Sequence, residues 1–206
     1  MKRGLFIAVE GIDGAGSTTQ AKELCAFFKT KGQGAHLTCE PSTWPVGVFI
    51  RQLLREKSEG SHYWQHILAL SFAADRLYHY EHEIAPKLQE GIHVVSDRYV
   101  LSSYVYQGLS LPQQWIEELN QHAPKANVTI LIDSSADVAE HRRTERGGAQ
   151  EVFDSNELQR RVRERYLHLS KSMKAIVVDG SAERNVVTER MLFAFCESFP
   201  EFKSCG

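Results

Sequence analysis

The stretch VEGIDGAGSTTQ, residues 9–20, closes one apolar run, LFIAVE (5–10), and opens a segment of helical period, TQAKELCAFFKTKG (19–32). Gly11, four intervening residues and Gly16 give the spacing of a phosphate-binding loop, G-x-x-x-x-G-K-[ST], with Ser17 where the lysine belongs. Gly11, Gly14 and Gly16 allow a tight turn that brings backbone N–H groups close to an anion. The helix that follows aims its positive end at the same point. Thr18 stands where a hydroxyl ligates Mg²⁺. A glycine-rich strand-to-helix turn that binds nothing is the alternative, and the Thr18-Thr19 pair and the helix start weigh against it. Ser17 removes one cation that would follow charge into a transition state. Losing such a contact costs about 2.7–4 kcal/mol, or roughly 10²–10³ in rate. The next lysine, Lys22, lies a helical turn beyond Thr18 and points away along the helix.

Working outward, the apolar runs AHLTCE (35–40), HVVSD (93–97), VTILID (128–133) and AIVVD (175–179) recur between helical segments. In the first of these segments Leu24, Phe27 and Phe28 share a face, and Gly32 closes the helix. Strands alternating with helices predict βαβ units: an α/β fold with a five-stranded parallel sheet covered on both sides. Ligands of such sheets gather beyond the carboxyl ends of the strands. Those ends carry Glu10-Gly11, Glu40-Pro41, Asp97-Arg98, Asp133 and Asp179. Helix capping is the plainer reading for Asp133 and Asp179.

The 206 residues fit one domain, spanning 1–206 without a Pro/Gly-rich linker or repeat. A hydrophobic content of 42%, a charged content of 24% and a formal charge of −2 describe ordinary globular material. No global field draws nucleic acid or membrane, so an anion site must be built locally. The basic run around 139–166 is interleaved with Glu145, Glu151, Glu157 and Glu164, which argues against a nucleic-acid surface. The cysteines at 25, 39, 196 and 205 form no C-x-x-C pair and fit a reducing compartment, Cys25 and Cys196 as buried residues. The first apolar run is too short for a signal peptide, so the expected location is cytoplasmic. His62 and His66, or His79 and His82, could be imagined at zinc; the first pair has helical spacing, but no Cys partner or third ligand is evident, and they read as surface histidines.

Three further motifs carry chemistry. SFAADR (71–76) sets Phe72 and Arg76 on one helical face, an aromatic plane beside a guanidinium. SDRYVLSSYVYQG (96–108) supplies Asp97, Arg98, Ser102, Ser103, Tyr106 and Gln107 after a strand, and EPSTWPVGVFIR (40–51) ends in Arg51. In this order after a phosphate loop, they resemble the thymidylate kinases of the P-loop nucleoside-monophosphate kinase group, over nearly the whole chain. The DRY…SSYVYQG segment is the most specific part. The loop matches the family's G-x-D-G-x-G-K-T-T-Q except at Ser17, and Cys39 stands where many relatives have arginine.

The resemblance implies a P-loop NTPase architecture, a three-layer α/β/α sandwich with a small helical lid, about 139–154. It implies transfer of the ATP γ-phosphoryl group to dTMP, with Mg²⁺ and ATP, in a homodimer whose contact helices are candidates at 62–80 and 101–121. Gly11, Ile12, Asp13, Gly14, Ala15, Gly16, Ser17, Thr18 and Thr19 would bind ATP, with Thr18 and Asp97 at the metal. Phe72 would stack on thymine, Gln107 and Ser103 would bond its edge, and Tyr106 would pack on the sugar. Arg76 would lie beside base and monophosphate, which Arg98 and Arg51 would hold, with Glu40 and Ser102 completing the dTMP site. Asp13 would bond the deoxyribose or help position the phosphates, and counts with Arg98 among the catalytic candidates.

In the lid, AEHRRTERGGAQEVFD (139–154), Arg142 and Arg146 share a face, with Arg143 beside them. The family draws a catalytic arginine from the loop or the lid. Gly14 occupies the loop position here, so the lid is the better match, Arg146 first and then Arg142. Lid arginines with Mg²⁺ would partly assume the missing lysine's role. The alternatives are a kinase of another deoxynucleoside monophosphate, or a catalytically weakened protein that binds dTMP and ATP.

Overall fold

The computed structural model describes residues 3–56, 62–145 and 156–203. The five expected strands form: β1 Phe6–Glu10, β2 Ala35–Cys39, β3 His93–Asp97, β4 Val128–Asp133 and β5 Ile176–Asp179. They pair in parallel in the order β2-β3-β1-β4-β5. Strand β1 is buried along its whole length, and its alternation divides the core. Ile7 and Val9 pack on one face with Leu24, Phe28, Val95, Ile130 and Met191. Phe6 and Ala8 pack on the other with Ile84, Leu88, Val94 and Tyr99. Apolar residues on both faces need helices on both faces, and the βαβ crossovers deliver them.

The flanking helices are α1 Ser17–Thr30, α2 Pro45–Glu56, α3 Trp64–His79, α4 Ala85–Gln89, α5 Val100–Tyr106, α6 Gln113–Leu119, α7 Ala136–Glu145, α8 Asn156–Ser172 and α9 Arg184–Ser198. Helix α1 buries Leu24 and Phe28 fully and Phe27 in part, and ends before Gly32 at φ 70°. Between α3 and α4 the run does not break but widens into a π-turn, Tyr80–Ile84, where the Ala85 N–H bonds the Tyr80 carbonyl. Pro86 lies just beyond it; its missing N–H leaves one carbonyl of the preceding turn without its usual donor. Strand order reverses about β1, whose neighbours are β3 and β4, so a crevice opens beyond its carboxyl end.

The capping reading of two strand ends is corrected by what they touch. Asp133 takes a two-point contact from Arg163 at 2.6 and 2.8 Å, which uses a cation from the charged run in α8. Asp179 accepts from Ser181 in a turn and from Arg190 at 2.6 Å. Of the cysteines expected inside, Cys25 is buried and Cys196 is half-buried. Of the segment expected as a lid, residues 139–145 lie in α7; the remainder, including Arg146, lies outside the described residues.

Candidate active site

The loop 11–16 leaves the buried end of β1 and is pinned by Ile12 and Ala15, both in the core. Gly14 and Gly16 adopt φ 93° and 101°, a region that favours glycine. At Gly14 a second constraint applies, because a Cβ would come within 2.3 Å of the Ala139 carbonyl oxygen in α7. Helix α7 therefore rests directly on the loop. Ser17 begins α1, and its hydroxyl donates to Asp97 Oδ1 at 2.9 Å. Thr18 donates to Asp97 Oδ2, so the carboxylate at the end of β3 collects both hydroxyls.

Two arginines of α7 converge on the same loop from behind. Arg143 donates to the Asp13 carbonyl. Arg142 donates to the Ala15 carbonyl at 3.2 Å, to Gly180 at 2.9 Å and to Ala182 at 2.8 Å. Arg142 thereby stitches the loop to the turn after β5. Beyond the stitch an open groove of about 820 Å³ runs from Ala15, Gly16, Thr19 and Gln20 along α7 to residues 181–184. No site residue was expected in this last segment from sequence.

On the opposite side of the loop lies a cavity of about 130 Å³. Asp13, Glu40, Phe72, Arg76, Arg98, Ser102, Ser103, Tyr106 and Gln107 line it, together with Pro41, Leu54 and Tyr99. Phe72 and Arg76 meet there because they are one helical turn apart in α3. Arg51 is not part of this lining. Its guanidinium turns inward to the carbonyls of Pro41 and Ser42, with Cys39 Sγ at 3.6 Å. Ser42 is fixed from its other side by the buried Asp75, at 2.7 Å from its amide and 2.5 Å from its hydroxyl. Thus Arg51 and Asp75 shape the segment that follows the cis Glu40-Pro41 bond.

Arg98 sits at φ 72°, unusual for a residue with a side chain, and its N–H bonds the Val9 carbonyl at 2.8 Å. Its guanidinium pairs with Asp13 and donates to Ser102 and Tyr166 at 3.1 Å each and to Tyr106 at 3.4 Å. Beneath it, Glu10 is wholly buried and accepts from Ser102 Oγ at 2.6 Å, Tyr166 at 3.1 Å and the Tyr99 amide at 2.9 Å. Burial raises the Glu10 carboxyl to about 7, with Ser102, Arg98, Tyr99 and Tyr166 opposing the shift. Tyr166, reached from α8, is a site residue the sequence did not disclose. In the structure it is buried at helical spacing from Val162.

Arg76 is 1% exposed and saturated by its neighbours. It contacts Glu40 at 2.8 and 3.0 Å, Ser103 at 3.0 Å and Asn120 Oδ1. Gln107 is also buried, and its Oε1 meets no hydrogen-bond donor among the described residues. Such an orphan acceptor on a cavity wall is costly unless a ligand supplies the donor.

A family model described as thymidylate kinase matches residues 9–191. The chain belongs to the thymidylate kinase family. It is 40% identical over 193 residues to a protein of Pyrococcus abyssi named "Probable thymidylate kinase", covering 91% of this chain and 93% of that one. A protein of the same name from Pyrococcus horikoshii is 42% identical over 82% of this chain and 84% of its own. One from Pyrobaculum aerophilum is 37% identical over 85% and 88%. Family membership accounts for the sheet order and the phosphate loop together.

Proposed function

We propose that the protein transfers the γ-phosphoryl group of ATP to dTMP, giving dTDP and ADP. The observation that carries this reading is the orphan amide oxygen of Gln107 in the cavity beside the phosphate loop. Thymine offers an N3–H donor next to carbonyl acceptors, the complement of a glutamine side chain. Phe72 gives that base a ring to stack on, and Tyr106 and Asp13 stand where the sugar would follow. Arg98, aimed by Asp13, Ser102 and Tyr166, is the cation within reach of the monophosphate. The donor's phosphates would lie on the loop amides, with its base in the groove along residues 181–184.

The acceptor phosphate is already anionic, so no strong base is needed and catalysis rests on alignment and charge neutralisation. Thr18 and Asp97 are hard oxygen donors already in contact, a set suited to Mg²⁺. They would hold that ion, which would supply charge neutralisation during the transfer. Arg142 and Arg143 act on the loop carbonyls and so hold its amides toward the phosphates; with Arg146 they are the cations available in place of the lysine.

The same reading takes the chain as one domain with a lid that begins in α7, working in the cytoplasm as a homodimer. The dimer contact rests on α3, where Ile67, Leu70 and Leu77 recur at helical spacing on an exposed face beside Val48 and Phe49 of α2. Purified protein with Mg-ATP and dTMP, dUMP or dGMP tests the whole: dTDP and ADP are expected, and dTMP the preferred acceptor. Product from dUMP or dGMP but not from dTMP would overturn the substrate, and no product from any acceptor would leave only binding.

A further inference from the structure

The buried histidine at the end of α3 has no part in the chemistry above, yet it stands one side chain behind the acceptor cavity. His79, expected at the surface from sequence, is instead 0% exposed, because its ring is enclosed by Glu40, Glu83 and Thr38. Its Nδ1 faces Glu40 Oε1 at 3.5 Å, an ion-pair separation, and neither atom has a hydrogen-bond partner among the described residues. Its Nε2 lies 2.8 Å from Thr38 Oγ1 and 3.7 Å from Glu83 Oε1. Glu83 is anchored in turn by Trp44 Nε1 at 2.7 Å and His36 Nε2 at 2.8 Å. The π-turn that follows immediately carries Glu83, so the widened helix is what sets this second carboxylate against the ring.

We propose that His79 is a positioning residue for the acceptor nucleotide: wedged as an imidazolium between Glu40 and Glu83, it holds the Glu40 carboxylate on Arg76 and thereby fixes one wall of the cavity. Glu40 has two oxygens and two cations. Oε2 takes Arg76 through both Nε and Nη2, while Oε1 looks only to His79. A buried carboxylate without its second cation would turn to share Arg76 between both oxygens, pulling the guanidinium from Ser103. Burial alone would discharge the ring, but Glu40 and Glu83 more than reverse that and raise it to about 9. The charged groups facing it are Glu40 beyond β2, and Glu83 and Arg76 on its own helical run, with His36 behind Glu83. Thr38 of β2 is the neutral contact.

This inference rests on the reading of the cavity as the dTMP site, and the test separates the two. In the full-length protein, His79→Asn keeps an N–H toward Glu40 without charge, and His79→Gln keeps the Nε2 side only. Both should raise the KM for dTMP roughly ten- to a hundredfold, the span of a lost charge-assisted contact, and leave kcat and the KM for ATP within about twofold. The dTMP dissociation constant from calorimetry should move in parallel. In the unaltered protein the dTMP KM should rise as pH passes about 9, and nitrogen NMR should show both ring nitrogens of His79 protonated at neutral pH. If the unaltered protein binds no dTMP, the substrate reading fails first. Unchanged dTMP KM in folded variants overturns the proposal, as do equal losses in every parameter. Should the variants not fold, a neutral ring in the NMR spectrum overturns it by itself.

Discussion

The two sides of the phosphate loop are built on opposite principles. On the acceptor side, charges are paired with charges inside the protein: Arg98 with Asp13, Arg76 with Glu40, and Glu10 under a cap of hydroxyls. On the donor side, arginines meet backbone carbonyls and the loop lysine is absent. Preorganisation thus resides in side chains where the acceptor would bind, and in the main chain where the donor would. The first arrangement is sensitive to single substitutions. In the second, the loss of one cation should cost rate more than binding, because the loop amides remain.

The largest effect should come from breaking the acceptor side at its centre. Arg98→Ala removes the cation that Asp13, Ser102 and Tyr166 aim, and leaves Asp13 without its counter-charge. The expected loss in kcat/KM for dTMP is about 10³-fold or more, measured by coupled ADP release. Arg98→Lys should recover only part, since a point charge cannot engage several oxygens in one plane.

The donor side offers the reverse experiment, repair instead of damage. Ser17→Lys should raise kcat by roughly 10²–10³-fold with little change in the KM for dTMP. It also frees Asp97 from one of its two hydroxyls. If kcat does not rise, the arginines and the metal already supply what the lysine would, and the contrast between the two sides narrows.

How much of this was legible in the sequence divides along the same line. Strand positions followed from short apolar runs, and the observed strands begin and end within one residue of them. The cavity lining was legible where it rode on local spacing, as with Phe72 and Arg76, or on one continuous segment, as with Arg98 to Gln107. What stayed hidden depends on long-range contact. Arg51 was expected on the monophosphate, and only the fold turns it onto the carbonyls of Pro41 and Ser42. Tyr166 and His79 come from separate helices and Asn120 from the end of a third, and no periodicity marks them as neighbours of one site.

Glu10 gives an intermediate effect and tests burial instead of chemistry. Its carboxyl is raised from the ordinary 4.5 to about 7, so the native state holds this proton more tightly than the unfolded chain. Stability from this group is therefore lost as pH rises from about 4.5 to about 7, and is constant above. The change should amount to at most about 3 kcal/mol. Glu10→Gln keeps an acceptor for the Tyr99 amide and offers donors to Ser102 and Tyr166. Urea denaturation at pH 5 and pH 8 should show the unaltered protein losing stability across that interval and the variant losing less.

The smallest effect is expected at Arg142, and it is the one that bears most directly on the backbone side of the comparison. Arg142→Ala removes contacts to three carbonyls, Ala15, Gly180 and Ala182, each a partly buried bond of about 0.5–1.5 kcal/mol. Those bonds do not touch the acceptor cavity, whose lining includes no residue of α7. If the loop amides are held toward the donor phosphates by what grips their carbonyls, the KM for ATP should rise about tenfold. The KM for dTMP should stay put. Arg142→Lys should fall between the two, because an ammonium reaches one or two of the three carbonyls but cannot span them. A shift in both KM values together would mean that α7 couples the two sides, and that main-chain and side-chain preorganisation are one device.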